Sequence, residues 1–173
     1  MSNPAADHRH GADSWSEIHT RDQVMRYKRL GVGRPVLVLQ ALGELNALCP
    51  ALTRALTEGG ALRLIFPDLP DGMHLAGWLA DFLEGIGAAD VCVVATDRFS
   101  MAAIELAMLG AEQIARVVLV ADEPGPFGRW CDAWQEADLE RSGCATRVPL
   151  LLIHRGLPAE EIGALVRRFL AAN

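Results

Sequence analysis

The sequence predicts an α/β fold: a three-layer sandwich around a mostly parallel sheet of five strands, with an antiparallel hairpin added at the N-terminal side. Two observations carry this. Five short apolar runs recur along the chain, each followed by turn chemistry, as strands buried on both faces require. Segments with helical apolar spacing alternate with those runs, and that alternation implies right-handed crossovers and a sheet covered on both faces. The chain is long enough for one domain, and its 51% hydrophobic residues suffice for a core.

The elements follow in order. Residues 1–13, M-S-N-P-A-A-D-H-R-H-G-A-D, read as a disordered tail, which leaves 14–173 as a single domain. Trp15–Thr20 and Val24–Leu30 flank R-D-Q and form the expected hairpin. Gly31-Val32-Gly33 precedes a strand instead of following one, so it is a turn and not a dinucleotide fingerprint. The first parallel strand is Val36–Gln40. A helix over Asn46–Glu58 carries Leu48, Leu52, Ala55 and Leu56 on one face and stops at Gly59-Gly60. The strand Leu62–Phe66 and the helix Leu75–Gly87 come next, the latter with Leu75, Leu79, Phe82, Leu83 and Ile86 at helical spacing.

The strand Val91–Ala95 turns through Asp97 into a helix over Met101–Leu109, which stops at Gly110. Val117–Ala121 is the fourth parallel strand. Residues 123–147 are rich in proline, glycine and mixed charge. They read as a lid-like segment of two loops around one short helix near Trp130–Leu139. Leu150–His154 is the last strand, and Ala159–Ala171 the last helix. That helix has Glu160-Glu161 in its first turn and Arg167-Arg168 in its last, which suits the helix dipole.

The formal charge of −6, with 22 acidic against 16 basic residues, argues against nucleic acid, whose recognition needs clustered Lys and Arg. Arg26-Tyr27-Lys28-Arg29 and Arg167-Arg168 read as solvated faces. Cys49, Cys92, Cys131 and Cys144 make no C-x-x-C pair and no zinc spacing. Cys92 reads as a small core residue, and free thiols suit a cytoplasmic location. No apolar run has the length of a membrane span, and the N-terminus has no apolar segment like that of a signal peptide. No P-loop and no H-E-x-x-H motif is present, so neither an organic cofactor nor a metal is expected.

Six motifs in one order resemble the α/β-hydrolase family. E-I-H-T-R-D-Q-V-M-R-Y-K-R-L-G-V-G-R-P-V-L-V-L-Q is similar to its opening hairpin and first central strand, and F-P-D-L-P-D-G-M to the turn after the next strand. W-L-A-D-F-L-E-G-I-G-A-A-D-V-C-V-V-A resembles the approach to the nucleophile, and I-E-L-A-M-L-G-A-E-Q-I-A-R-V-V-L-V-A the helix and strand beyond it. V-P-L-L-L-I-H-R-G and E-E-I-G-A-L-V-R-R-F-L resemble a later strand and the closing helix. The resemblance covers nearly the whole chain beyond the tail.

It implies a nucleophile turn at Ala95-Thr96-Asp97-Arg98-Phe99, with Asp97 at its tip. Members that dehalogenate or open epoxides use an aspartate there, attacking carbon as a carboxylate. This turn departs from G-x-D-x-G: Ala95 and Phe99 replace the two glycines. Gln40-Ala41-Leu42-Gly43 stands where H-G usually supplies oxyanion donors, a task that backbone N–H groups can perform.

Asp122 follows a strand after which some members place the acid. The family's histidine comes on a loop after one more strand, yet here only R-G-L-P separates His154 from the closing helix. The resemblance therefore implies a trimmed fold without the last strand, its histidine or most of the lid.

Two roles stay open for Asp97: nucleophile of a set with Asp122 and His154, or cap of the helix that follows. Arg98 is either an anion contact or a local ion-pair partner for Asp97 or Asp122. Gln40, Ala41, Leu42, Arg98 and Trp130 are the expected ligand contacts. His19 and His74 are expected at the surface. The first expectation for function is a non-catalytic protein binding a small molecule or a protein partner at the C-terminal edge of the sheet. The second is a hydrolase of an ester, epoxide or halo-acid. The third is a homodimer paired along the exposed edge of Leu150–His154.

Overall fold

The computed structural model describes residues 15–20, 23–40, 48–58, 60–70, 74–96, 99–110, 112–121, 148–154 and 156–172. The expected tail and the expected lid-like segment 123–147 lie outside these. In chain order the elements are β1 (Ser16–His19), β2 (Val24–Gly31), β3 (Arg34–Leu39), α1 (Leu48–Thr57), β4 (Leu62–Pro67) and α2 (Leu75–Gly85). They continue with β5 (Val91–Thr96), α3 (Ser100–Leu109), β6 (Ile114–Ala121), β7 (Leu150–His154) and α4 (Ala159–Ala171).

These strands form one seven-stranded sheet in the order β1-β2-β4-β3-β5-β6-β7. The hairpin β1–β2 adds antiparallel to β4, and the five remaining strands run parallel. Strand order fixes which face each helix covers. The connection from β3 to β4 moves one way along the sheet, whereas those from β4 to β5 and from β5 to β6 move the other. Right-handed crossovers therefore send α1 to one face and α2 and α3 to the opposite one.

The core divides accordingly. Leu37, Ile65, Val93 and Val117 pack with Leu79 and Phe82 of α2 and Ala103 and Leu106 of α3. Val36, Leu64, Cys92 and Val94 pack with Leu52 and Leu56 of α1 and Ile162 and Val166 of α4. All six residues of β5 are buried, with successive side chains feeding opposite faces, as a central parallel strand requires. Helices α1 and α4 meet at Gly163, where an added Cβ would stand 2.3 Å from that of Ala55.

Two arginines at the N-terminal ends of strands hold the end of α4. Arg34 donates to the Leu170 carbonyl at 2.9 Å and to Asp90 at 3.0 Å. Arg116 donates to the Ala172 carbonyl and lies over the Phe169 ring, 5.3 Å from its centroid. Cationic donors suit the last carbonyls of a helix, which have no partner within it.

The structure moves two sequence expectations. Strand β6 begins at Ile114, three residues before the expected Val117, because its start pairs with Val91 across a register shift and Arg116 interrupts the apolar pattern. The basic run at 26–29 is an alternating strand segment and not one solvated face: Tyr27 is buried, while Arg26 pairs with Asp68 at 2.7 Å and lies over Trp15.

Cys92 is fully buried. Burial pushes its thiol above the ordinary value, Asp90 adds to that, and Arg34 and Arg116 oppose it. A pKa raised by folding favours the folded state below the unfolded thiol value of about 8.5, and the advantage fades as pH rises above it. Urea denaturation between pH 7 and pH 10 is therefore expected to show a loss of stability that is smaller in Cys92→Ala. Identical pH slopes in the two proteins would refute this.

Candidate functional site

Ligands of open parallel sheets bind beyond the C-terminal ends of the strands. Those ends are Leu39, Pro67, Thr96, Ala121 and His154. Strand β5 stops at Thr96 and α3 starts at Ser100, so three residues, 97–99, separate the two elements. Phe99 occupies the N-cap position with φ −89° and ψ −5°, and its side chain is buried in the core. Phenylalanine in place of the second elbow glycine thus meets no left-handed backbone requirement at its own position. Phe99 makes no side-chain cap hydrogen bond. Asp97 and Arg98 lie outside the described residues.

Two polar residues beside the turn were not singled out from the sequence. Thr96 and Ser100 are the buried polar side chains among the described residues. Thr96 Oγ1 donates to the Leu39 carbonyl at 3.5 Å, tying the end of β5 to that of β3. Ser100, 1% exposed, opens α3, and its Oγ has no hydrogen-bond partner among the described residues. The sequence signal was T-D-R-F-S, a hydroxyl residue on each side of the turn inside an otherwise apolar stretch.

Of the expected site residues, the structure places two. Gln40 follows β3, half-buried, next to the strand that ends at Thr96. His154 is the last residue of β7, in register with Ala121, while Thr96 is in register with Val120. Strand β6 stands between β5 and β7, so two strand spacings, about 10 Å, separate the ends of those strands. Ala41, Leu42, Asp122 and Trp130 lie outside the described residues. His19 and His74 are exposed, as expected.

Among solved structures, an epoxide hydrolase from Vigna radiata matches with a TM-score of 0.52 at 23% identity, over 62% of this chain and 39% of that one. Epoxide hydrolase I of potato, Solanum tuberosum, matches with a TM-score of 0.51 at 21% identity, over 62% and 39%. The fold is that of the α/β-hydrolases. The chain spans about two fifths of the length of these two enzymes. No protein-family model and no curated protein matches the sequence.

Within this α/β-hydrolase fold, the strand-end edge holds Gln40, Thr96 and Ser100, and the described residues also form a groove at the other end. An open groove of about 470 Å³ there is lined by Asp81 and Glu84 of α2 and by Glu112. It adjoins the segments that lead into β5 and β6, so it lies away from the turn at 97–99. Among the described residues, no group of three or more His, Cys, Asp or Glu side chains gathers as a metal site. No helix among them is long and apolar enough to cross a membrane.

Proposed function

We propose that this protein uses its α/β-hydrolase fold to bind, without catalysing hydrolysis. The ligand is a small apolar or anionic molecule or a protein partner, received at the C-terminal edge of the sheet and beside Gln40 and the turn at 97–99. One observation carries this reading. Four residues, 155–158, join the end of β7 to the start of α4, with neither a strand nor a long loop between them to deliver a histidine. His154, the last residue of β7, stands two strand spacings from β5. A general base needs hydrogen-bond reach to its target, directly or through one water. The expected ligand contacts Ala41, Leu42, Arg98 and Trp130 belong to this reading, as does a cytoplasmic location inferred from the free thiols.

The tight connection between β5 and α3 favours a second reading. On that reading Asp97 stands at the tip of a strand–turn–helix, the placement that exposes a nucleophile. In that case Asp97 attacks an ester, epoxide or halo-acid carbon, with Asp122 and His154 completing the set.

Assays of ester, epoxide and halo-acid turnover on the wild type and on Asp97→Asn separate the two. The binding reading expects no turnover above buffer in either protein. Turnover in the wild type that falls at least about a hundredfold in Asp97→Asn, the order expected on losing a nucleophile, would establish the hydrolase instead.

A further inference from the structure

The outer edge of β7 has no strand against it among the described residues. Apolar side chains collect around that edge. Leu150 is 43% exposed and Leu152 38%, on one face of the strand, while Leu151 and Ile153 turn toward the α1–α4 layer. Leu157, 36% exposed, lies in the link to α4, and Leu165, 38% exposed, lies on α4 itself.

Three contacts orient α4. Ile162, Val166 and Leu170 point into the core. Gly163 meets Ala55 of α1, and the Leu170 carbonyl meets Arg34 of β3. Phe169 meets Arg116 of β6. Going round the helix from Gly163 through Ile162 to Phe169 therefore leads from the α1 side toward β6. Beyond Phe169 come Leu165 and then, farther round toward solvent, Glu161 and Arg168; the three are spaced i, i+4 and i+7, and all are exposed.

From this we infer that the β7 edge and the α4 flank together bind a second copy of the chain across a two-fold axis. The stripe is self-complementary. Antiparallel pairing of β7 with its copy runs the two α4 helices antiparallel, which brings Glu161 of each copy to Arg168 of the other with Leu165 between them. Leu165 sits midway between the two charges, as an isologous contact requires. With α4 packed over β6, three strand spacings, about 14 Å, separate the helix axes, a span that leucine, glutamate and arginine arms can fill. The same pairing satisfies the open N–H and C=O groups of β7, the standing hazard of an edge strand. This inference does not depend on whether the turn at residue 97 is catalytic.

Size-exclusion chromatography with light scattering, run over a range of concentrations, tests it. The expected result is a dimer that dissociates on dilution. Glu161→Arg and Arg168→Glu each replace two attractions by two repulsions and are expected to weaken it at least about tenfold, and the double exchange to restore it. Leu165→Lys, at an exposed position that leaves the fold intact, is expected to give monomer. Circular dichroism confirms that each variant is folded. A wild type that stays monomeric at every concentration overturns the inference. So does a dimer that ignores the charge reversals and Leu165→Lys, because its interface then lies elsewhere.

Discussion

Phe82→Ala is expected to lower the free energy of unfolding by about 3–5 kcal/mol, the range for truncating a fully buried phenylalanine. Phe82 is inaccessible to solvent in the layer between the sheet and α2. Its ring stacks on Trp78 one turn earlier, with centroids 5.6 Å apart and planes 3° from parallel. It meets Tyr27 of β2 edge-on, at 5.5 Å and 78°. Trp78 in turn donates from Nε1 to Gln23 Oε1 at 3.1 Å, just before β2. This cluster therefore joins the added hairpin to the parallel body of the sheet. Truncation leaves a cavity whose walls are held by a helix and a strand, so the site relaxes little. Urea denaturation followed by tryptophan fluorescence measures the effect. Phe82→Leu is expected to cost less, because it fills most of the volume and forgoes the ring contacts, worth about 0.5–1.5 kcal/mol each. A loss below about 1 kcal/mol in Phe82→Ala would contradict this account of the core.

Gly33→Ala is expected to cost about 2–4 kcal/mol, combining backbone strain with a steric conflict. Gly33 has φ +118°, which L side chains rarely adopt. An added Cβ would stand 2.2 Å from the Ala61 carbonyl oxygen and 2.5 Å from its carbon. That oxygen cannot move away freely, because it accepts from the Arg34 N–H at 3.0 Å. The G-V-G turn must pass this close because β2 and β3, consecutive in sequence, are parted in the sheet by the insertion of β4. Gly60→Ala is the control: its φ is +67°, but an added Cβ there meets nothing within 4 Å. Only the left-handed penalty of about 1–2 kcal/mol applies to it. Equal costs in the two variants would show that the close approach to Ala61 does not matter.

The sequence made much of this fold legible because burial is written locally. β7 and α4 begin and end where the apolar runs and helical spacing predict, since each is a complete amphipathic or apolar unit bounded by turn residues. The short join between β5 and α3 was legible for the same reason: an apolar run followed at once by a new helical period. The start of β6 was not, because Arg116 breaks the apolar pattern while still pairing with Cys92, across a register shift. The burial of Thr96 and Ser100 was also hidden, since hydroxyl residues near a turn read as exposed until the packing of β3 and α3 around them is known.

By itself, the sequence determined that strands and helices alternate, that five strands are apolar enough to lie parallel between helices, and that a chain reversal follows β5. Only the tertiary structure decided that β6 separates β5 from β7, which sets the ends of those two strands about 10 Å apart. Only it left Glu161, Leu165 and Arg168 together on the exposed side of the last helix beyond Phe169. The physical reason is range. Periodicity records how much of each segment is buried, whereas neighbour order and helix orientation come from crossover handedness and from contacts between residues far apart in the chain.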